Sequence, residues 1–231
     1  SKDVSVRLTW QAAAQHKVVG MYTLHPSCQC TFALLEQVSP IFAPEAVAEH
    51  HYDGTGPGQL PQFLATGQYF YPVTNRFLIE ADWSQSVYHR NQARIPGVGY
   101  DAISVTDTGL NLRYGSRSTF YQVLNDDRMH ERIAMSYITG THNFKVGADL
   151  NQMAQGRKSY DDPFIVNHAI SYTFRNQLPV SVSIYTGPYG PYQEGTENAL
   201  YLQDQWTMSR LTLNLGLRYS VYDMLIPESH L

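Results

Sequence analysis

Leu211, Leu213, Leu215, Leu217, Tyr219 and Val221 alternate strictly with Thr212, Asn214, Gly216, Arg218, Ser220 and Tyr222. Successive strand side chains point to opposite faces, so this segment predicts a strand with one apolar and one polar face. It outruns the ~5–6 residues of an ordinary soluble strand and matches the ~9–11 needed to cross a bilayer at a tilt. The same alternation recurs at Val4–Gln11, Phe77–Ser84, Phe144–Asn151, His168–Phe174 and Val180–Ile184, and more weakly at Val18–Leu24, Phe63–Tyr71 and Arg132–Thr139. Asn198–Met208 also reads as a strand, but Asp204 shares the parity of Leu200, Leu202 and Trp206. That acid predicts either a bulge or a strand end emerging from the membrane. Helical spacing is confined to Phe32–Ala48, where a short helix is expected.

The connections alternate in length. Ala12–His16, Pro72–Asn75, Gly140–His142, Asn176–Leu178 and Ser209–Arg210 are short, while Pro26–Pro61, Arg90–Arg128, Gln152–Val166 and Gly187–Glu197 are long. An additional hairpin is expected around Ile103–Tyr114. About ten strands with short turns on one side and long loops on the other is the layout of an antiparallel up-and-down transmembrane β-barrel. The short turns would then be periplasmic and the long loops extracellular. Trp10, Tyr71, Phe77, Tyr137, Phe144, Phe174 and Trp206 lie within a few residues of the short turns. Amphipathic rings favour the headgroup level, so these are expected interface aromatics, with Tyr22, Tyr88, Tyr185 and Tyr222 at the opposite interface. The competing explanation is ordinary strand aromatics packing in a soluble sheet.

Composition fits the pattern. The chain of 231 residues carries 16% charged and 13% aromatic residues, a net charge of −4, and a mean hydropathy of −0.33. No run approaches the ~18 apolar residues of a spanning helix. The absence of basic runs argues against nucleic acid as a partner. Low charge with negative hydropathy is the average of two alternating faces. The chain opens at Ser1-Lys2-Asp3 without a leader and stops at Pro227-Glu228-Ser229-His230-Leu231, so residues 1–231 are expected to be a partial barrel cut from a longer protein.

Leu200-Tyr201-Leu202-Gln203-Asp204-Gln205-Trp206-Thr207-Met208-Ser209-Arg210-Leu211-Thr212-Leu213-Asn214-Leu215-Gly216-Leu217-Arg218-Tyr219 resembles a hairpin of TonB-dependent outer-membrane receptors, in which a Gln-Asp-x-Trp strand, a tight turn and a Leu-x-Leu-Asn-x-Gly-x-Arg-Tyr strand recur. Arg7-Leu8-Thr9-Trp10-Gln11 and Gly140-Thr141-His142-Asn143-Phe144-Lys145-Val146-Gly147 are similar to the same group, closest to its Oar-like members. The resemblance implies a bacterial outer-membrane location and uptake of a scarce small ligand. It also implies two partners outside this chain, a plug domain and a TonB-type energising complex. Receptors of this kind close at ~22 strands, and neither a plug nor an energising box is readable here. The alternative is an outer-membrane adhesion barrel that does not transport.

Side-chain chemistry adds candidates. The polar parity places Arg7, Glu80, Asp82, Lys145, Asp149, Thr212, Asn214 and Arg218 on the expected lumen wall. Glu80 and Asp82 share one strand face, but carboxylates on a polar wall serve ion pairing more readily than acid–base chemistry. Glu49, His50, His51 and Asp53 form a metal-like run on a loop, with His50 and His51 as ligand candidates; a solvated polar loop is the plainer account. Tyr189 and Tyr192, in a Gly/Pro/Tyr loop, could present ring faces to a ligand. Cys28-Gln29-Cys30 lacks the further ligands of a zinc site, leaving a local disulfide or free thiols. No nucleophile elbow, phosphate loop, dinucleotide fingerprint or His-Glu-x-x-His is present. No enzyme activity, cofactor or metal is expected.

Overall fold

The computed structural model describes residues 2–32, 48–55, 59–99, 102–116, 123–158, 170–184 and 192–226. Fourteen strands are present among the described residues: β1 (Val4–Ala13), β2 (His16–Leu24), β3 (Cys28–Phe32), β4 (Ala48–His51), β5 (Phe63–Pro72), β6 (Phe77–Arg94), β7 (Ser104–Asp107), β8 (Leu112–Gly115), β9 (Val123–Thr139), β10 (His142–Lys158), β11 (Ile170–Arg175), β12 (Leu178–Ile184), β13 (Tyr192–Met208) and β14 (Leu211–Leu225). None of the described residues is helical. Most of the expected helix falls outside them; its end residues, Phe32 and Ala48, are in β3 and β4.

Eight strands form one antiparallel wall in the order β1-β2-β5-β6-β9-β10-β13-β14. Four hairpins build it, each closed by a short turn, and all four turns lie at one end. In the turns Gly140 (φ 55°) and Ser209 (φ 49°) take the left-handed backbone that reverses the chain tightly. β9 and β10 are 17 residues each and pair without a register break from His142↔Thr139 to Lys158↔Val123. At the loop end β4 adds to the far part of β6, pairing Ala48–His51 with Asn91–Arg94, and β3 pairs with β4. β1 and β14 are the edges of the wall.

The register carries the alternation across every strand. One face presents Val6, Leu8, Ile79, Ile133, Val146, Leu202 and Leu217, which face one another through the ladders. Several of these are openly exposed, Leu217 at 79%. On this face apolar rows run for three positions on β9 and for four to six on β6, β10 and β14, then give way to Gln85, Glu131, Gln152 and Asp223 toward the loop end. Four to six outward positions are ~8–12 residues, the length of a tilted bilayer crossing. β6, β9, β10 and β13 continue past that band as an upright extension.

Two expectations need correction. Of the expected strand His168–Phe174 the first two residues lie outside the described ones, and the rest, like Val180–Ile184, is not a wall strand. β11 and β12 join β7 and β8 in a separate four-stranded sheet, ordered β12-β11-β7-β8, with β11 parallel to β7. At 6 and 7 residues they are too short to cross a bilayer. The Asn176–Gln177 turn therefore sits in this sheet and not among the wall's short turns. Asp204 likewise lies on no bulge: β13 pairs with both β10 and β14 in unbroken register through it.

Candidate functional site

The polar face of the wall is built first by register. Glu80 and Asp82 on β6, Arg132 on β9, Lys145 and Asp149 on β10, Glu197 on β13 and Arg218 on β14 share that face. Arg132 donates from Nε and Nη2 to Asp82 Oδ2 at 2.9 and 2.6 Å, while Gln68 holds Oδ1 at 3.1 Å. Lys145 Nζ reaches across β9 to Glu80 Oε2 at 2.8 Å. Arg218 reaches across β13 to Asp149 (2.5 Å) and also bonds Glu197 (3.0 Å). Both long reaches pass over alanines, Ala134 and Ala199, which are 1% and 3% exposed. Side chains two strands apart meet only when the strand between carries a small residue. Asn151 and Tyr222 complete Glu197, each at 3.0 Å, and His130 approaches Asp149 at 3.5 Å. Gly147 leaves room for the phenol of Tyr201, which occupies the space a Cβ would need.

These pairs stand side by side across β5 to β14 as three bonded groups, lining a hollow of about 440 Å³ bounded by Arg132, Lys145, Asp149, Tyr201 and Arg218. Arg7, on β1, is exposed on the same face and makes no ion pair among the described residues. Thr212 and Asn214 stand exposed on β14 with that parity. Glu80 and Asp82 are each held by a cation, an arrangement suited to stiffening a wet wall and not to proton transfer.

Above the band, the extension of β6 carries a second cluster. His51 Nε2 lies 2.9 Å from Glu49 and its Nδ1 lies 3.7 Å from Asp53. Burial raises the Asp53 pKa, but two hydrogen bonds from Thr55 and the nearby His51 outweigh it and leave the carboxyl below its ordinary range. His50 is fully buried. Among the described residues no three His, Cys, Asp or Glu side chains come together as a metal site. The Leu60 N–H donates to His89 Nδ1 (3.0 Å), so His89 Nε2 carries the proton given to Asp127 (3.0 Å). Tyr52 and Tyr88 stack obliquely at 5.2 Å. Burial first, then the hydrogen bond with Tyr52, pushes the Tyr88 phenol up to about 12. Gln155 donates to Asp126 (3.3 Å) and Gln193 to Gln155 (2.6 Å), carrying the polar chain onto β10 and β13. Ring faces, amides and carboxylates here could hold a hydrogen-bonding ligand. Tyr192 is exposed at the start of β13, bonded to Glu194. Tyr189 lies outside the described residues. Cys28 and Cys30 are bonded to each other within β3.

The aromatics sort by face. Trp10, Tyr71, Phe77, Phe144 and Trp206 sit on the apolar parity within a few residues of the short turns. Phe174 does not join them: it lies on β11 of the small sheet, because that hairpin is not part of the wall. Tyr22 has the apolar parity, whereas Tyr222 lies on the polar face, bonded to Glu197; Tyr185 is outside the described residues. A hollow of about 800 Å³ crosses the apolar face over Gly67, Ala81 and Ala148, flanked by Tyr69, Trp83 and Leu200.

Charged surface on one side of the wall and an exposed apolar band on the other is the design of a membrane strand. The family model described as "Outer membrane beta barrel domain" matches residues 4–230. The chain belongs to that family. Its location is accordingly the outer membrane, with the apolar face toward lipid. A comparison with curated proteins finds no match. Among solved structures the chain is similar to the outer membrane transporter YddB from Escherichia coli, at 12% identity and a TM-score of 0.57 over 96% of this chain. It spans 28% of the length of that transporter chain, and at this identity the likeness concerns the fold.

The hairpin expected around Ile103–Tyr114 is present as β7 and β8, but its pairing with β11 and the contact of Tyr52 with Tyr88 were missed from the residues alone. Asp107-Thr108-Gly109 is a readable turn signal. Its second partner, the turn at Asn176–Gln177, lies 69 and 70 residues away, and no local pattern announces it.

Proposed function

We propose that the chain is part of the barrel of a TonB-dependent receptor that takes up a scarce ligand across the outer membrane. The observation carrying the reading is the row of ion pairs Asp82–Arg132, Glu80–Lys145 and Asp149–Arg218. A wall facing water or a polar plug supports charges of this density, whereas each lipid-facing Arg at mid-bilayer would cost ~2–4 kcal/mol. The Gln-Asp-x-Trp hairpin and the likeness to an outer membrane transporter support the same reading. Binding falls to the extension around Tyr52, Tyr88, His89 and Gln155, and passage to the polar face below it. The partners are a plug and an energising complex in the inner membrane, both outside this chain. The reading assigns no catalytic step and no cofactor to the wall.

The test is growth of a deletion strain and its complemented parent on media limited separately for iron, cobalamin and complex glycans, each with and without the energising complex. A growth defect under one limitation, reproduced by loss of the energising complex, supports the proposal. A strain that grows normally under all three yet loses attachment to surfaces would replace uptake with adhesion.

A further inference from the structure

The further ligands that Cys28-Gln29-Cys30 lacks nearby in the sequence are brought to it by strand pairing. β3 runs antiparallel to β4, with Cys28 opposite His51 and Gln29 opposite His50. Directly paired residues point to one side of a sheet with Cβ atoms ~4.5–5.5 Å apart, so Cys28 and His51 are neighbours. Glu49 precedes His51 by two residues on the same face, and its carboxylate lies 2.9 Å from His51 Nε2. Continued without a break, the pairing would set Cys30 opposite Glu49 and Thr31 opposite Ala48. Instead Phe32 pairs with Ala48, and the register breaks between Gln29 and Phe32. The Cys28–Cys30 bond sits at that break and holds the two Cα atoms 5.3 Å apart, against about 6.4–6.8 Å for two residues of extended strand. The cross-link shortens β3 where it slips against β4. On the other side of β4, Asn91 and Ala93 of β6 stand opposite His51 and Glu49. Neither brings a cation to this face.

We propose that Cys28 and Cys30 in their reduced form, together with His51 and Glu49, bind a zinc ion, and that the disulfide withholds this site. Two thiolates, one imidazole and one carboxylate are a tetrahedral set that suits zinc, whereas magnesium and calcium favour oxygen ligands alone. Cys30 is exposed and Cys28 half-buried, so an external thiol reaches the bond. Two equivalents of such a thiol break it: two electrons and two protons pass to Cys28 and Cys30, and the reductant leaves as its own disulfide. β3 is then free to take the rise of an ordinary strand, which sets Cys30 opposite Glu49. Zinc displaces the two thiol protons as it binds. In the oxidised form the sulfurs are tied to each other, and no three ligating side chains come together among the described residues. The site is independent of whether the barrel transports.

The test is zinc binding by the full protein, folded in detergent, with and without a phosphine reductant. Competition against a chelating dye should show zinc held about a hundredfold more tightly by the reduced protein than by the oxidised one. Cobalt in place of zinc should give thiolate charge-transfer absorption and the visible bands of a tetrahedral site only after reduction. Cys28→Ser combined with Cys30→Ser should remove both signals, which separates this pair from any other thiol of the full protein. His51→Ala should weaken zinc binding by the reduced protein about tenfold, with heat-modifiable migration confirming that the barrel has folded. Glu49→Gln, a milder change, should weaken it in the same direction and replaces His51→Ala should that variant fail to fold. Equal affinity in the two redox states overturns the proposal. So does an affinity that rises on reduction but is unchanged by both His51→Ala and Glu49→Gln, because the thiols would then bind zinc without the ladder's help.

Discussion

The wall and the small sheet use the same alternation and hold it in opposite ways. The wall's longest ladders run 15 to 17 pairs, and its polar side is tied by long cations bridging carboxylates on other strands. The small sheet has strands of 4 to 7 residues and is pinned by a single buried acid. Asp107, at the end of β7, accepts the N–H groups of Gly109 (2.9 Å) and Leu110 (3.0 Å) from its own turn. It also accepts Asn176 (2.9 Å) and Gln177 (2.7 Å) from the β11–β12 turn. One carboxylate thereby joins two loops that leave the wall at different strands. A ladder of side chains stiffens a surface that must stay wet; a carboxylate saturated by backbone donors locks a junction with no counter-cation.

The sharpest way to break the comparison is to charge one face of the wall at a time. Leu215 and Asn214 are neighbours on β14 with opposite parity. Leu215→Arg places a cation in lipid and should cost ~2–4 kcal/mol, blocking assembly; Asn214→Arg should assemble normally. Heat-modifiable migration after folding into vesicles reads the difference, and equal assembly of the two would reverse the assigned faces. Next in size is Gly147→Ala, whose methyl would collide with the Tyr201 phenol and the Ile133 carbonyl. A loss of about 1–3 kcal/mol in denaturant unfolding is expected, and Tyr201→Ala in the same chain should recover part of it. No coupling between the two changes would refute the close packing. The small sheet should ignore both.

The lengths of the elements explain what the residues disclosed and what they hid. Alternation at Leu211–Tyr222 was legible because six outward apolar positions match a bilayer. Alternation at Ser171–Phe174 and Val180–Ile184 was equally clear, and it misled. Period two reports that a strand has two environments, and it cannot say which sheet supplies them. The parities of Glu80, Asp82, Lys145, Asp149 and Arg218 were readable, so the face they share was too. Which acid meets which base was not, because Lys145 and Arg218 choose partners two strands away over Ala134 and Ala199. Asp204 was visible as an anomaly, yet its partner His142 lies 62 residues earlier and meets it only through the β10–β13 register.

A smaller effect is expected from the ion pairs themselves. Arg132 and Asp82 are partly exposed, at 34% and 16%, so water screens the interaction. Asp82→Ala should cost about 1–2 kcal/mol, mostly by stranding Arg132 and Gln68. Arg132→Met alone should cost less, and a double-mutant cycle should give a coupling of about 1 kcal/mol. A coupling near zero would mean that the wall is held by its ladders alone.

The smallest global effect, and the most local one, belongs to Asp107. Burial raises its pKa, but the four backbone N–H bonds outweigh that and hold the carboxyl below its ordinary range. A depressed folded-state pKa contributes stability that is fully present above the unfolded value, near 4, and is lost as pH falls through the folded one. Hydrogen-exchange protection of residues 104–115 and 170–184 should therefore hold from pH 7 to 5 and collapse below the unfolded value, while β9 and β10 stay protected. Asp107→Asn keeps the shape but replaces one accepting oxygen by a donor facing amides. It should lower protection of both hairpins by about tenfold at pH 7, the effect of losing roughly one hydrogen bond, and remove the acid dependence. Both hairpins must respond together, because the carboxylate bonds both turns. Opening of β7–β8 with β11–β12 unchanged would show that the two loops are joined by strand pairing and not by Asp107.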